Sequence, residues 1–147
     1  MKLLHISIFV FSLFATALSA QVQPKKIVLK KVEFFSGTRG YQEAVTIESR
    51  TMHVTQGGAT PRDEQMKVSA SDWKIFKNII QQIDLKKINQ IKSPSNASTV
   101  DAARISHFTI TTSKGKFESA SFDNYNAAEV LMPLVKKTVA LAKLRNR

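Results

Sequence analysis

The chain of 147 residues contains no cysteine and only five glycines. Without cysteine it has no disulfide framework, no thiolate nucleophile and no cysteine-bound zinc or iron–sulfur cluster. The few glycines match neither the phosphate-binding loop nor the dinucleotide-binding pattern, so both nucleotide fingerprints are excluded. With 43% hydrophobic and 22% charged residues, the composition is that of an ordinary globular protein, which must be held together by core packing alone.

The first twenty positions contain no acidic residue. One lysine precedes an apolar run over residues 6–15, and small residues follow the run. A basic start, a short apolar run and a small-residue cleavage site are the three parts of a secretory signal peptide, and the run is short for a membrane span. We therefore predict that residues 1–20 are a signal peptide cleaved before Gln21, with a cut after Ala17 or Ser19 as the alternative. We expect the mature protein to be secreted or periplasmic, with no transmembrane segment.

After this leader, three segments alternate apolar and polar residues as β-strands do. They are Ile27–Phe35, Tyr41–Glu48 and Thr51–Gln56. The first two are separated by Ser36–Gly40, whose two glycines predict a hairpin loop, and the third is followed by a segment of loop composition, Gly57–Asp63. Three antiparallel strands are the simplest interpretation.

Two helices are predicted further along the chain. Ser69 and Asp72 form a capping-box pattern, and the apolar residues that follow recur on one helical stripe. Ser71 is an equally usable cap. The second helix is predicted to start at Asn126. Pro133 lies too deep for the first turn of that helix, so we expect a kink or a restart there.

A second hairpin lies between the helices, where Ile105–Thr112 and Lys116–Phe122 flank a short turn with a glycine. The order of elements is therefore β-β-β-α-β-β-α. Because alternating strands and one-sided helices each have an apolar face to bury, we predict an α+β protein with a single antiparallel sheet of about five strands and two helices packed on one face. No repeat or linker divides the chain, so residues 21–147 are predicted to form a single domain.

Four short sequence elements, together with this order of strands and helices, resemble a group of small secreted proteins of Gram-negative bacterial envelopes whose function is unknown. The elements are Ser36-Gly37-Thr38-Arg39-Gly40-Tyr41, Pro94-Ser95, Asp101-Ala102-Ala103 and Phe122-Asp123. The resemblance spans most of residues 27–145. It implies an envelope location and an α+β domain, and it implies no reaction, cofactor or site residue.

The sequence contains no recognisable catalytic motif. His53 and His107, the histidines beyond the leader, occupy strand positions at which a histidine is usually solvated. Asp101 and Asp123 lie at junctions between elements, where aspartates usually cap turns and helices. We therefore predict that the protein is not an enzyme and needs neither metal nor cofactor. The alternative is a small envelope hydrolase that uses Asp101, His107 and Asp123, which would have to converge in one cleft.

Cations outnumber acids, with 22 Lys+Arg against 11 Asp+Glu and a formal net charge of +11. Such an excess favours anionic partners, although export argues against nucleic acid. We predict a non-enzymatic binding or accessory protein of the envelope, whose partner is an anionic glycan, a lipid headgroup or an acidic protein surface. Arg39, between glycines at a loop tip, is suited to grip a carboxylate or a phosphate. The other candidate binding residues are two lysine pairs: Lys30, Lys31, Lys136 and Lys137.

Other interpretations of the same features stay open at this point. The basic surface can serve only to keep the protein soluble, and Arg39 can instead pair with Glu43. The Ser36–Gly40 loop can also be presented to a protease or a lytic enzyme, as in an inhibitor. A rigid, protruding loop would favour that third function.

Overall fold

Alternating apolar residues build one antiparallel sheet in the computed structural model, which describes residues 27–97 and 103–144. Its strands are β1 (Leu29–Thr38), β2 (Tyr41–Ile47), β3 (Thr51–Gln56), β4 (Arg62–Lys67), β5 (Ile105–Thr112), β6 (Gly115–Glu118) and β7 (Phe122–Asp123). They follow the spatial order β4-β3-β2-β1-β5-β6, with β7 paired to β5. Two α-helices, α1 (Ala70–Gln81) and α2 (Met132–Ala142), accompany the sheet, and a short 3₁₀ turn covers Ile88–Gln90. The predicted α+β class, with one antiparallel sheet and two helices, is confirmed.

The predicted number of strands was too low, because the sheet has seven strands and two of them lack a strong sequence pattern. β4 is an edge strand with a single apolar residue, Met66, so its sequence resembles a solvated loop. β7 consists of Phe122 and Asp123 alone, which pair with Ser106 and Ile105 of β5. Both segments are strands because they pair with a neighbouring strand, although neither shows a clear alternation of apolar and polar residues.

The first hairpin is tighter than the predicted loop over Ser36–Gly40. β1 continues to Thr38, which pairs with Tyr41 across a turn that contains only Arg39 and Gly40. Gly40 has a φ of 78°, a left-handed conformation that glycine adopts without strain and that two-residue hairpin turns favour. Arg39 therefore lies at the tip of a short, regular hairpin, and most of the predicted loop is strand.

One face of the sheet carries the hydrophobic core. Residues paired across antiparallel strands point to the same face, so the strand register defines continuous rows. Two of these rows are largely apolar: Met66, Met52, Ile47, Val32, Ile110 and Phe117, then Val54, Val45, Phe34 and Phe108. A third row, next to the Arg39 turn, is polar: Arg62, Gln56, Glu43, Ser36 and Ser106. Both helices add apolar residues to the same core, namely Trp73, Phe76, Ile80, Leu134, Val135 and Ala142.

Helix α1 begins where the sequence predicts. Ser69 is its N-cap, and the Ser69 Oγ accepts a hydrogen bond of 3.0 Å from the backbone N–H of Asp72. Val68 and Trp73, which flank the cap, are both buried, as expected of a hydrophobic staple. The capping box at Ser69 is confirmed, and the alternative cap Ser71 lies inside the first turn.

Helix α2 begins later than predicted. It starts at Met132 rather than just after Asn126, and Pro133 lies in its first turn. A proline at that position breaks no helical hydrogen bond, since the first backbone N–H groups of a helix have no partner within the helix. Of the two alternatives predicted for Pro133, the kink was wrong and the start of a helix is observed, because this proline begins α2 instead of interrupting a longer helix. Within the described ranges, no helix is both long enough and apolar enough to cross a membrane.

Candidate functional site

A buried carboxylate lies in the polar row of the sheet. Glu43 of β2 has no exposed surface, although it points to the same face as Val45 and Ile47. Its carboxylate accepts hydrogen bonds from the Tyr125 hydroxyl at 2.5 Å and from the Tyr41 hydroxyl at 2.9 Å. A buried carboxylate is costly unless donors and an opposite charge surround it, so these contacts are what permit the charge to be there.

Arg104, which directly precedes β5, supplies the opposite charge. It is 7% exposed, and its Nη1 lies 3.4 Å from Glu43 Oε1. The guanidinium carbon lies 4.8 Å from the ring centre of Tyr125 and 5.4 Å from that of Tyr41, so two aromatic rings stabilise the cation. Gln56 Nε2 completes the group with a hydrogen bond of 3.3 Å to Glu43. We name these five residues the Glu43 cluster.

The Glu43 cluster has the properties of a structural ion pair. Burial raises the pKa of the Tyr125 hydroxyl well above its ordinary value, and the hydrogen bond to Glu43 raises that pKa further. Tyr125 is therefore a hydrogen-bond donor that holds its proton, not a base. Since Glu43 itself has no surface open to a ligand, the cluster stabilises the polar end of the sheet and does not offer a reactive carboxylate.

An apolar groove of about 920 Å³ lies at the other end of β1, within the size range of ligand pockets. Four segments line it: the start of β1, the second half of α1, the turn that follows α1, and the β5–β6 hairpin. Its apolar lining residues are Ile27, Leu29, Ile80, Ile83, Leu85 and Phe117. Four of these belong to the buried core, whereas Ile27 is 47% exposed, so the groove joins the interior to the surface.

Three lysines line the same groove, and we name the whole feature the lysine groove. Lys77 comes from α1, Lys86 from the turn after it and Lys114 from the β5–β6 hairpin. All three are exposed, and none forms an ion pair with a residue that the structure describes. Asp84 also lines the groove and accepts a hydrogen bond of 3.1 Å from the backbone N–H of Lys86. The charge around the groove is therefore positive on balance.

Two of the five predicted binding residues lie near the lysine groove. Lys30 and Lys31 are at the start of β1, and Lys31 forms an ion pair of 3.0 Å with Glu33. Lys31 also lies opposite Thr111 of β5, whose neighbour on the other side is Lys116 of β6. Lys31 and Lys116 point to the sheet face away from the core, but they lie at the same end of the sheet as the groove lysines. We name the lysines of this end the basic end: Lys30, Lys31, Lys77, Lys86, Lys114 and Lys116.

The other three predicted binding residues lie elsewhere. Arg39 is at the far end of β1, a strand of ten residues. Because a strand rises about 3.3 Å per residue, Arg39 is about 30 Å from the basic end. Lys136 is exposed on α2. Lys137, on the same helix, lies 2.5 Å from the Asp72 carboxylate of α1 and so ties the two helices together. The structure thus does not bring the five residues into a single site.

Of the two aspartates in the hydrolase hypothesis, the structure describes only Asp123. Asp101 lies outside the described residues. Asp123 is buried, and its carboxylate accepts hydrogen bonds from the Ser95 hydroxyl and, at 2.7 Å, from the backbone N–H of Ala97. These bonds hold the segment before β5 against β7, as a capping aspartate does.

The two histidines lie on the sheet face that points away from the core. The ring of His107 lies 5.4 Å from that of Phe35, and His53 Nε2 lies 2.6 Å from Asp63 Oδ1. β2 and β1 separate their strands, and the register offsets the two histidines by two residues along the strand direction. They are therefore about 16 Å apart at about 4.8 Å per strand and about 3.3 Å per residue. Among residues 27–97 and 103–144, no group of three His, Cys, Asp or Glu side chains is placed to hold a metal ion.

The sequence analysis identified neither the Glu43 cluster nor the lysine groove. A signal existed for Glu43, which is an acid at a core-facing position between Tyr41 and Val45. No comparable signal distinguishes Lys77 or Lys114 from the many other lysines, because only the packing of distant segments brings them together.

Comparisons with protein-family models, with curated proteins and with solved structures find no match to this chain.

Proposed function

We propose that this chain is a secreted or periplasmic protein that binds an anionic component of the cell envelope and catalyses no reaction. The basic end is the observation that supports the proposal, because six lysines from separate segments lie at one end of the sheet and three of them line one groove. Among them, only Lys31 forms an ion pair within the described part of the chain, so most of this charge is available to a partner. The signal peptide predicted for residues 1–20 would deliver this surface to the envelope.

The class of partner follows from charge and from the groove. A glycan, a lipid headgroup or an acidic protein face can each supply negative charge, whereas export would separate the protein from nucleic acid. The apolar groove between the lysines favours a lipid, since a glycan has no hydrocarbon chain to bury there. Arg39 lies too far from the basic end to contact the same small ligand, and Lys136 is not among the residues that line the groove.

Co-sedimentation of the mature protein with lipid vesicles tests this proposal, with an immobilised anionic polysaccharide as a second surface. We expect retention on phosphatidylglycerol and not on phosphatidylcholine. Retention should fall as salt rises, because the screening length shrinks from about 30 Å at 0.01 M to about 8 Å at 0.15 M. If salt has no effect, or if neither anionic surface retains the protein, the proposal fails.

Two matched double variants locate the contact. Lys30→Gln/Lys116→Gln removes two charges from the basic end and should reduce retention. Arg39→Gln/Lys136→Gln removes the same charge elsewhere and should leave retention close to that of the parent. Equal losses in both variants would assign the binding to overall charge and not to the basic end.

A further inference from the structure

We propose that the lysine groove binds one single-chain anionic amphiphile, a long-chain fatty carboxylate. Its hydrocarbon chain would lie on the apolar lining, and its carboxylate would be held by Lys77, Lys86 and Lys114. This inference rests on the proposed function, since it names the ligand class that the basic end takes.

The apolar lining provides the surface for the chain. Leu29, Ile83 and Leu85 are almost fully buried in the core yet also line the groove, so they form its rigid floor. Phe117 and Ile27 extend the apolar surface, and Ile27 is 47% exposed without a ligand. Each methylene group that a ligand buries on such a surface strengthens binding about fourfold.

The three groove lysines provide the site for the headgroup. They come from α1, from the turn after α1 and from the β5–β6 hairpin, so they approach the groove from different sides. None of them pairs with a described carboxylate, and Asp84 is the acid that accompanies them in the lining. An anion with an apolar tail is the ligand that complements both parts of the groove.

Two other occupants fit this groove less well. A second copy of the chain has a formal net charge of +11 and would bring like charge towards the three lysines. Residues 21–26, which precede the groove residue Ile27 in sequence, are mostly polar and end in Lys25 and Lys26. Charge complementarity therefore favours an anionic amphiphile over either of them.

Isothermal titration calorimetry of the mature protein tests the ligand class with three probes below their micelle concentrations. Laurate carries both features of the proposed ligand. Dodecyltrimethylammonium has a chain one carbon longer with the opposite charge, and butyrate has the same charge as laurate with almost no chain. We expect laurate to bind at least about tenfold more tightly than either of the other probes, which corresponds to about 1.4 kcal/mol.

Matched variants test whether laurate binds in this groove. Ile27→Ser should weaken laurate binding about tenfold through lost apolar contact, whereas Val28→Ser, at the adjacent exposed residue outside the lining, should change it less than about twofold. Circular dichroism of each variant checks that the fold is retained.

A second matched pair tests the headgroup site with two variants that have the same net charge as each other. The triple variant Lys77→Gln/Lys86→Gln/Lys114→Gln should weaken laurate binding about tenfold, since exposed charge pairs contribute about 0.2–1 kcal/mol each. The control triple variant Lys67→Gln/Lys74→Gln/Lys87→Gln removes three exposed lysines that lie outside both the groove lining and the basic end, and it should have little effect.

The outcomes separate this inference from the proposed function. Absence of laurate binding by a protein that still sediments with phosphatidylglycerol vesicles overturns the groove site and leaves the proposed function standing. Laurate binding that neither Ile27→Ser nor the groove triple variant weakens also overturns it. A dimer in light scattering that Ile27→Ser abolishes would overturn it as well, because a second copy would then occupy the groove. Laurate binding that appears only after residues 21–26 are replaced by glycine and serine would also overturn it, because that segment would then be the occupant.

Discussion

At the scale of single residues, Glu43 carries a charge into the interior of the sheet, where solvation by water is lost. Two tyrosine hydroxyls and the Gln56 amide donate to its carboxylate, and the Arg104 guanidinium balances its charge. Removal of one partner of such a pair leaves the other charge buried and uncompensated, which costs more than the pair itself contributes. The stability of the polar end of the sheet should therefore depend on Glu43.

We predict that Glu43→Gln lowers the free energy of unfolding by about 3–5 kcal/mol, because Arg104 is then buried without an opposite charge. Denaturant titration followed by circular dichroism measures the loss. Glu118→Gln, at an exposed position of β6, serves as the control and should change stability by less than about 0.5 kcal/mol. Similar stabilities for the two variants would show that the Glu43 cluster contributes little.

The position of Glu43 could be predicted from the sequence, but its partner could not. Strand alternation places Glu43 on the face of Val45 and Ile47, and the structure confirms that face. The nearby cation considered from sequence was Arg39, whereas the actual partner is Arg104, 61 positions along the chain. The pairing of β1 with both β2 and β5 brings these segments together, and no local pattern encodes that pairing.

At the scale of elements, α1 is fixed at its start by a local motif. Ser69 caps the helix, and its hydroxyl also lies 2.8 Å from that of Ser71 and 2.5 Å from the Asp72 carboxylate. The pKa of Asp72 is held below its ordinary value, first by the hydrogen bond from Lys137 of α2 and then by that from Ser69. The same turn therefore both starts α1 and joins it to α2.

We predict that Ser69→Ala lowers the free energy of unfolding by about 1 kcal/mol, the usual cost of losing an N-cap side chain. Ser71→Ala, within the first turn, should change it by less than about 0.5 kcal/mol. Thermal and urea unfolding of the two variants side by side measure the difference. A larger loss in Ser71→Ala would mean that the second serine is the effective cap.

The success of sequence-based prediction differed between elements for a physical reason. The start of α1 depends on residues within one turn, so the capping box and its apolar flanks were sufficient to find it. β4 depends on pairing with β3, and its single apolar residue gave too weak a pattern. Pro133 is compatible either with a kink or with the first turn of a helix, and the observed start of α2 at Met132 places it in the first turn.

At the scale of the whole molecule, the two ends of the sheet have different roles. The end next to the Arg39 turn buries its charges in the Glu43 cluster, where they neutralise one another. The opposite end leaves the lysines of the basic end mostly unpaired within the described residues, and three of them line an apolar groove. Composition predicted an excess of cations, but only the folded chain distinguishes the lysines that surround the groove from those spread over the rest of the surface.

The pH dependence of stability should reflect both the net charge and Tyr125. From pH 7 towards the isoelectric point of about 10.1, the positive charge falls and self-repulsion weakens, so we expect no loss of stability there. Above about pH 10, the ordinary tyrosine pKa, the unfolded chain releases the Tyr125 proton while the folded chain retains it. Burial and the hydrogen bond to Glu43 keep the folded-state pKa of Tyr125 raised. The unfolded state then binds fewer protons, so the free energy of unfolding must fall as pH rises through this range.

Tyr125→Phe separates this contribution from the titration of the lysines, which both proteins share. The variant should be less stable than the parent at pH 7, because Glu43 loses a hydrogen-bond donor. Above about pH 10 its free energy of unfolding should fall less steeply than that of the parent, since the variant has no phenolic proton at this site to release. Denaturant titrations of both proteins between pH 7 and pH 11 provide the two slopes, and parallel slopes above pH 10 would contradict a raised Tyr125 pKa in the folded state.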